Sequence, residues 1–237
     1  MVRRFDGFPP GALPFFKELS AHNRRDWFEG HRQDYIEFIL EPAQAFTAAL
    51  GERLKEISPG IEHDTQTNGR GSIKRIYRDV RFSKDKTPYN THLGIVFWQG
   101  AASKKTENPG FYFRMDAEGG ALFAGVHEFP RPLLMRYRDA VVDEELGDEL
   151  QEAISAVTES GLCEVGGEHY KRVPPGYDRT HRRAGLLRFN ALFASSPVVN
   201  PQALNDGGLV ETCFEYCRTM APVFLWLRAL TGASRCD

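Results

Sequence analysis

The residues whose types and spacing point to chemistry sit in one stretch, RGSIKRIYRDVRFSKDKTPYNTH, residues 70–92. Arg70, Lys74, Arg75, Arg78, Arg81, Lys84 and Lys86 place seven cations in seventeen residues. Only Asp79 and Asp85 answer them locally, an excess of five in a chain whose formal net charge is −2. Guanidinium groups grip phosphate or carboxylate oxygens in pairs, and ammonium groups add point charge. Tyr77, Phe82 and Tyr89 interrupt the cations. Disordered basic tails lack such apolar anchors, so an ordered element is expected. Arg75, Arg78 and Arg81 recur every third residue, which puts them on one side of a helix or tight turn. Ile73, Ile76, Val80 and Phe82 are then expected to face inward. The competing reading is a solvated or internally paired face, since the chain has 32 carboxylates to spend on weak surface ion pairs.

A second cluster lies at residues 170–188, YKRVPPGYDRTHRRAGLLR. Lys171, Arg172, Arg179, Arg182, Arg183 and Arg188 face Asp178 alone, with Tyr170, Tyr177 and His181 among them. Two basic, aromatic-bearing loops suggest a composite anion cleft over a sheet. One wall is expected to be Arg75, Arg78, Arg81, Lys84 and Lys86, with Arg172 and Arg183 opposite. The guest would be a phosphate-bearing small molecule or a nucleotide. Asp79, Tyr89 and His92 are the acid/base candidates beside it, His92 because imidazole titrates near neutral pH; a structural histidine at a strand start is the plainer reading.

Metal ligation finds no pattern. His22 with His31, and His63 with Asp64, match no ligand spacing, and His127-Glu128 lacks the second histidine of a zincin signature. Cys213 and Cys217 share a helix face at four-residue spacing, but two thiols do not close a tetrahedral site, and buried thiols are expected instead. The chain has no phosphate-binding P-loop, no dinucleotide glycine fingerprint and no nucleophile elbow, so no cofactor is assigned.

The elements that must position these residues follow from periodicity. Residues 13–21 read as a short helix buried through Leu13, Phe15, Phe16 and Leu19. Asn23 reads as an N-cap with Asp26 as its partner, opening one helix whose buried face is Trp27, Phe28, Tyr35, Phe38 and Ile39. Pro42 suits the first turn of the next, with Phe46, Leu50, Leu54 and Ile57 inside and Ser58-Pro59-Gly60 as the stop. Gly69 and Gly71 suggest a turn before the basic stretch. The period then changes to that of strands at 92–99, 110–116 and 120–126, the last two joined by a short glycine-bearing connection. Three strands without intervening helices mean an antiparallel meander. Helices are expected at 131–142, from an Asp143 cap to about Thr158 with Leu146, Leu150, Ile154 and Val157 inside, and at 209–230, where Pro222 should kink or divide the helix. Residues 161–180 read as loop with at most one short strand, and 185–193 fits strand or helix equally.

At 237 residues, 41% hydrophobic and 26% charged, the chain has the composition of an ordinary globular protein able to bury a core without staples. Its near-neutral charge argues against a dedicated nucleic-acid coat. It has no apolar run of membrane-spanning length, its start is broken by prolines, and four cysteines do not suggest a disulfide framework. The cytoplasm is therefore expected. No repeat or linker is evident, so residues 1–237 read as a single α+β domain: a helical N-terminal region, an antiparallel meander and C-terminal helices.

The stretch from Arg75 to Tyr89, RIYRDVRFSKDKTPY, resembles the signature of the domain of unknown function 2461 family, a conserved hypothetical protein family. The resemblance extends to Phe15-Phe16-Lys17-Glu18-Leu19 followed by Asn23 and Trp27-Phe28, to Gly110-Phe111-Tyr112, and to Gly125 with its proline-led helix. Lys171-Arg172-Val173-Pro174-Pro175-Gly176-Tyr177 and His181 look like the family's second basic loop. The resemblance implies one α+β domain and brings no activity, substrate or catalytic residue. Three functions therefore stand side by side: an anion-binding protein, with or without catalysis; a non-specific nucleic-acid binder with exposed aromatics for stacking; and an interaction or scaffold protein whose charges pair internally.

Overall fold

The computed structural model describes residues 4–100, 105 and 107–232. The expected α+β class is what it has. The strands form one six-stranded antiparallel sheet in the order β1-β2-β3-β4-β6-β5. They are β1 (Ile61–Glu62), β2 (Leu93–Gln99), β3 (Gly110–Met115), β4 (Gly120–Val126), β5 (Glu164–Glu168) and β6 (Phe189–Ser195). Every residue of β2 is buried, as its unbroken apolar run requires, whereas β3 and β4 alternate between buried and half-buried positions. The meander is as expected, and the hairpin between β3 and β4 closes with Asp116 N donating to Gly119 O at 2.9 Å.

Contacts divide the chain into two compact units. The first comprises Met1–Phe97, Tyr112–Leu122 and Val198–Glu215. Helix α1 (Ala12–Ala21) buries Phe15, Phe16 and Leu19. The single helix expected after Asn23 is instead three pieces: α2 (Arg25–Gly30), α3 (Arg32–Tyr35) and a π-helical turn, Ile36–Leu40. The break falls at Gly30–His31, where His31 takes a non-helical conformation. Helix α4 (Glu41–Leu54) follows with Pro42 in its first turn and Phe46, Leu50 and Leu54 buried. Asn23 is not the N-cap. That position belongs to Arg24, with no side-chain cap, and Asn23 is engaged elsewhere. The core here is a cluster of rings, with Phe46 4.7 Å from Phe113 and 5.2 Å from Phe5. Each buried phenylalanine contributes about 1.5–3 kcal/mol by leaving water.

The second unit comprises Trp98–Phe111, Phe123–Pro197 and Tyr216–Asp237. Helix α5 (Arg131–Val142) starts after Pro130 as expected, and Asp143 caps α6 (Glu144–Thr158), its carboxylate accepting from Leu146 N at 2.9 Å. Leu150 and Val157 are buried, but the Leu146 side chain is left 41% exposed, and its carbonyl accepts from Trp226 Nε1 at 3.0 Å. Residues 185–193 resolve their ambiguity by being both: a 3₁₀ turn, Leu186–Arg188, runs straight into β6. The short strand expected within 161–180 is β5.

Two helices remain. A short one not read from the sequence, α7 (Pro201–Leu204), is capped by Asn200. Helix α8 (Leu209–Thr231) runs on through Pro222 without division. Cys163, Cys213 and Cys217 are buried and form no disulfide among the described residues, and Cys236 lies outside them. Among the described residues no helix is long and apolar enough to cross a membrane.

Candidate functional site

The first basic stretch, in the first unit, is an irregular hairpin rather than a helix. Val96 N bonds Ser72 O, Lys74 N bonds Gly94 O, Asn90 N bonds Ile76 O and Arg78 N bonds Pro88 O, all at 2.7–3.0 Å. Bridges pair Ile73 with Ile95 and Tyr77 with Tyr89. Gly69, at φ +77°, makes the entry turn, a conformation that only glycine adopts freely. On such a ladder side chains alternate, so the three-residue spacing of Arg75, Arg78 and Arg81 does not collect them on one side. Ile73 and Ile76 are buried as expected, but Phe82, at the far end of the hairpin, is 95% exposed.

Aromatic rings clamp the base of this hairpin. Phe28 lies against Tyr89 at 4.2 Å and against Tyr77 at 6.1 Å. Asn23 Nδ2 donates to Tyr89 O at 2.9 Å and its Oδ1 accepts from Tyr89 N at 3.1 Å. Burial and the neighbouring Tyr77 push the Tyr35 hydroxyl up to about 12.

Much of the charge is spent within the hairpin. Arg78 Nη1 donates to Asp85 Oδ2 at 2.6 Å, to Thr87 O at 3.0 Å and to the Thr87 hydroxyl. Arg81 forks onto Asp79 through Nε at 3.0 Å and Nη2 at 2.7 Å. Lys86 donates to Val80 O at 2.9 Å. Arg75 is exposed and adds to the positive field at Asp79, and Lys84 is exposed with no ion pair among the described residues.

The three acid/base candidates sit in separate surroundings and share no hydrogen bond. The Arg81 guanidinium holds Asp79 down at about 2, so it is a carboxylate committed to its partner at neutral pH. Tyr89 is buried under Phe28, and that burial raises its hydroxyl. His92 is held below its ordinary value by desolvation and then by Arg114, with Asp116 opposing.

The second basic stretch, in the second unit, is built around a structural arginine. Arg183, 3% exposed, donates through Nε to Val141 O at 2.7 Å, through Nη1 to Asp148 Oδ1 at 2.5 Å and through Nη2 to Asp143 O. Gly147 permits this, because a Cβ there would fall on the guanidinium. Arg183 is therefore a bolt holding residues 181–185 to α6, and its donors are used internally. Arg182 shares Asp148 at 2.7 Å, and Tyr177 donates to Asp139 Oδ1 at 2.9 Å.

With that segment fixed, a pocket of about 430 Å³ opens between residues 171–173, 179, 184, 185 and 188. Its cations are Lys171, Arg172, Arg179 and Arg188. Arg188 pairs with Glu168 at 3.1 Å. Lys171, Arg172 and Arg179 are exposed and have no carboxylate or hydrogen-bond partner among the described residues. Arg172 is the one residue of the expected anion-binding set that lines this pocket. Lys171, Arg179 and Arg188 belong to the same charge cluster, and its shortage of acids is the signal that finds them. Among the described residues no three His, Cys, Asp or Glu side chains gather to hold a metal ion.

Comparison with known proteins brings a family match. The family described as conserved hypothetical protein (DUF2461) matches residues 11–226, which takes in both basic stretches, and the chain belongs to that family. No curated protein and no solved structure matches it.

Proposed function

We propose that this DUF2461 protein binds a phosphate-bearing small molecule or nucleotide in the pocket bordered by Lys171, Arg172, Arg179 and Arg188. The observation that carries the reading is the imbalance there: three cations without internal partners around one pocket. The volume falls within the range of about 300–1,000 Å³ usual for small-ligand sites. The first stretch offers less, since Arg78 and Arg81 are already answered by Asp85 and Asp79. Buried cysteines outside any disulfide among the described residues fit a reducing compartment, the cytoplasm.

A thermal-shift screen against nucleotides, sugar phosphates and inorganic phosphate tests this. A true ligand at a hundredfold excess over its dissociation constant stabilises by about 2.7 kcal/mol. That shift should vanish in a Lys171→Ala, Arg172→Ala double variant; an equal shift in both proteins sinks the reading.

One observation favours a second reading, binding of single-stranded nucleic acid. Phe82 is 95% exposed, Tyr77 is 51% exposed, and the Arg81 guanidinium lies 5.8 Å from the Phe82 ring. Base stacking on an exposed ring contributes about 1–3 kcal/mol. Oligonucleotide affinity lost in Phe82→Ala would support that reading instead.

A further inference from the structure

Among the described residues of the second unit two arginines are buried, and they differ in what their nitrogens meet. Arg183 is 3% exposed and every arm of its fork is bonded. Arg138, on α5, is 9% exposed; its Nε is buried with no partner, while its terminal nitrogens keep a narrow contact with solvent and make no hydrogen bond or ion pair among the described residues. The neighbouring Asp139 is already taken by Tyr177. Buried charges are normally paired, because removal from water without a counter-charge is expensive. A helix could have carried an apolar residue here at no such cost. The counter-charge that Arg138 lacks is therefore expected to come from outside the chain.

What covers Arg138 links it to the pocket. The ring of Tyr170 lies over its guanidinium, 5.2 Å from Cζ. Tyr170 precedes the pocket residue Lys171, and its backbone N donates to the carbonyl of Arg188, another lining residue, at 2.9 Å. The Tyr170 ring also meets the His169 ring edge to face at 4.8 Å, and its hydroxyl reaches Asn190 Oδ1 at 3.3 Å, long for a hydroxyl hydrogen bond.

We infer that Arg138 is the inner anchor of the anion pocket and that the ligand carries two linked phosphate groups. One would sit among Lys171, Arg172 and Arg179. The other would reach Arg138 as the Tyr170 ring turns aside. A single phosphate brings a charge of about −1.5 to −2, short of three exposed cations plus Arg138. This inference rests on the anion reading of the pocket, and its test separates the two.

Calorimetric titration of the full chain with inorganic phosphate and with pyrophosphate is the experiment, run on wild type, Arg138→Met and Arg138→Lys. Wild type should bind both anions, with pyrophosphate at least tenfold tighter. Arg138→Met should keep the phosphate affinity, lose the pyrophosphate advantage, and melt no lower than wild type without ligand, because an unpaired buried charge has been replaced by an apolar chain of similar length. Arg138→Lys, which keeps a charge but not the fork, should lose most of the advantage; it decides the matter if the methionine variant does not fold. Pyrophosphate no tighter than phosphate in wild type, or an advantage retained in either variant, overturns the role of Arg138 and leaves the pocket standing. Failure of wild type to bind either anion overturns both.

Discussion

Asn23 holds Tyr89 by both of that residue's backbone polar groups, donating to its carbonyl at 2.9 Å and accepting from its amide at 3.1 Å across 66 residues of chain. The amide thus acts as a surrogate strand neighbour, fixing the return limb of the basic hairpin to the start of α2. Losing it strands a donor and an acceptor, each costing about 1–3 kcal/mol when left unsatisfied. Asn23→Ala is expected to lower the unfolding free energy by about 2 kcal/mol in urea denaturation. Asn23→Asp should recover little, because it presents a carboxylate to the Tyr89 carbonyl. Unchanged stability in Asn23→Ala would contradict the clasp.

Arg183 should prove structural. Arg183→Ala strands two carbonyls and leaves Asp148 to Arg182 alone, and it is expected to cost about 2–5 kcal/mol, mostly through the two unsatisfied acceptors. Lysine should not restore it, since one ammonium cannot reach in three fixed directions. Gly147→Ala should act in the same direction by about 1–3 kcal/mol, by crowding the guanidinium. Denaturant midpoints check all three.

Two histidines set an acid limit. Burial holds the imidazoles of His63 and His92 below the ordinary value. The unfolded chain then takes up protons near pH 6.5 while the folded chain still resists. Stability from these groups is thus complete above pH 6.5 and falls as pH drops toward the folded values. Urea denaturation at pH 7.5 and 5.5 should show the lower stability at 5.5, with a smaller difference in His63→Gln. Stability that rises on acidification would refute this.

Phe82 and Phe28 make a matched pair. Phe82→Ser should change stability by less than about 0.5 kcal/mol, as usual for open surface, whereas Phe28→Ala should cost about 3–5 kcal/mol through the cavity under Tyr89. Comparable losses at the two positions would contradict the placement of the hairpin end.

Local patterns were legible where local physics decides. The apolar run of β2, the Asp143 cap and Pro42 in the first turn of α4 stand where periodicity and capping chemistry put them. An asparagine before an apolar stripe reads as a cap, and only the tertiary approach of Tyr89 outbids that role at Asn23. The apolar pattern within 73–82 points Phe82 inward on paper, while in space the ladder ends near Arg78 and Pro88. At the site, charge counting found the cluster at 170–188 but could not tell its members apart. Arg183 and Arg172 carry the same charge, and burial and satisfied geometry make one a bolt and the other an open pocket cation; Arg138 lies outside that stretch, and charge counting gives no sign of it. Those distinctions depend on contacts forty residues away in sequence, such as Val141 with Arg183.

The central claim is that the 171–188 pocket, and not the 70–92 hairpin, takes the anion. Calorimetric titration with inorganic phosphate across wild type, Lys171→Ala with Arg172→Ala, and Arg78→Ala with Arg81→Ala tests it most directly. The account predicts saturable binding in wild type, at least a tenfold loss in the first double variant, and wild-type affinity in the second. Affinity retained in the first and lost in the second would contradict it.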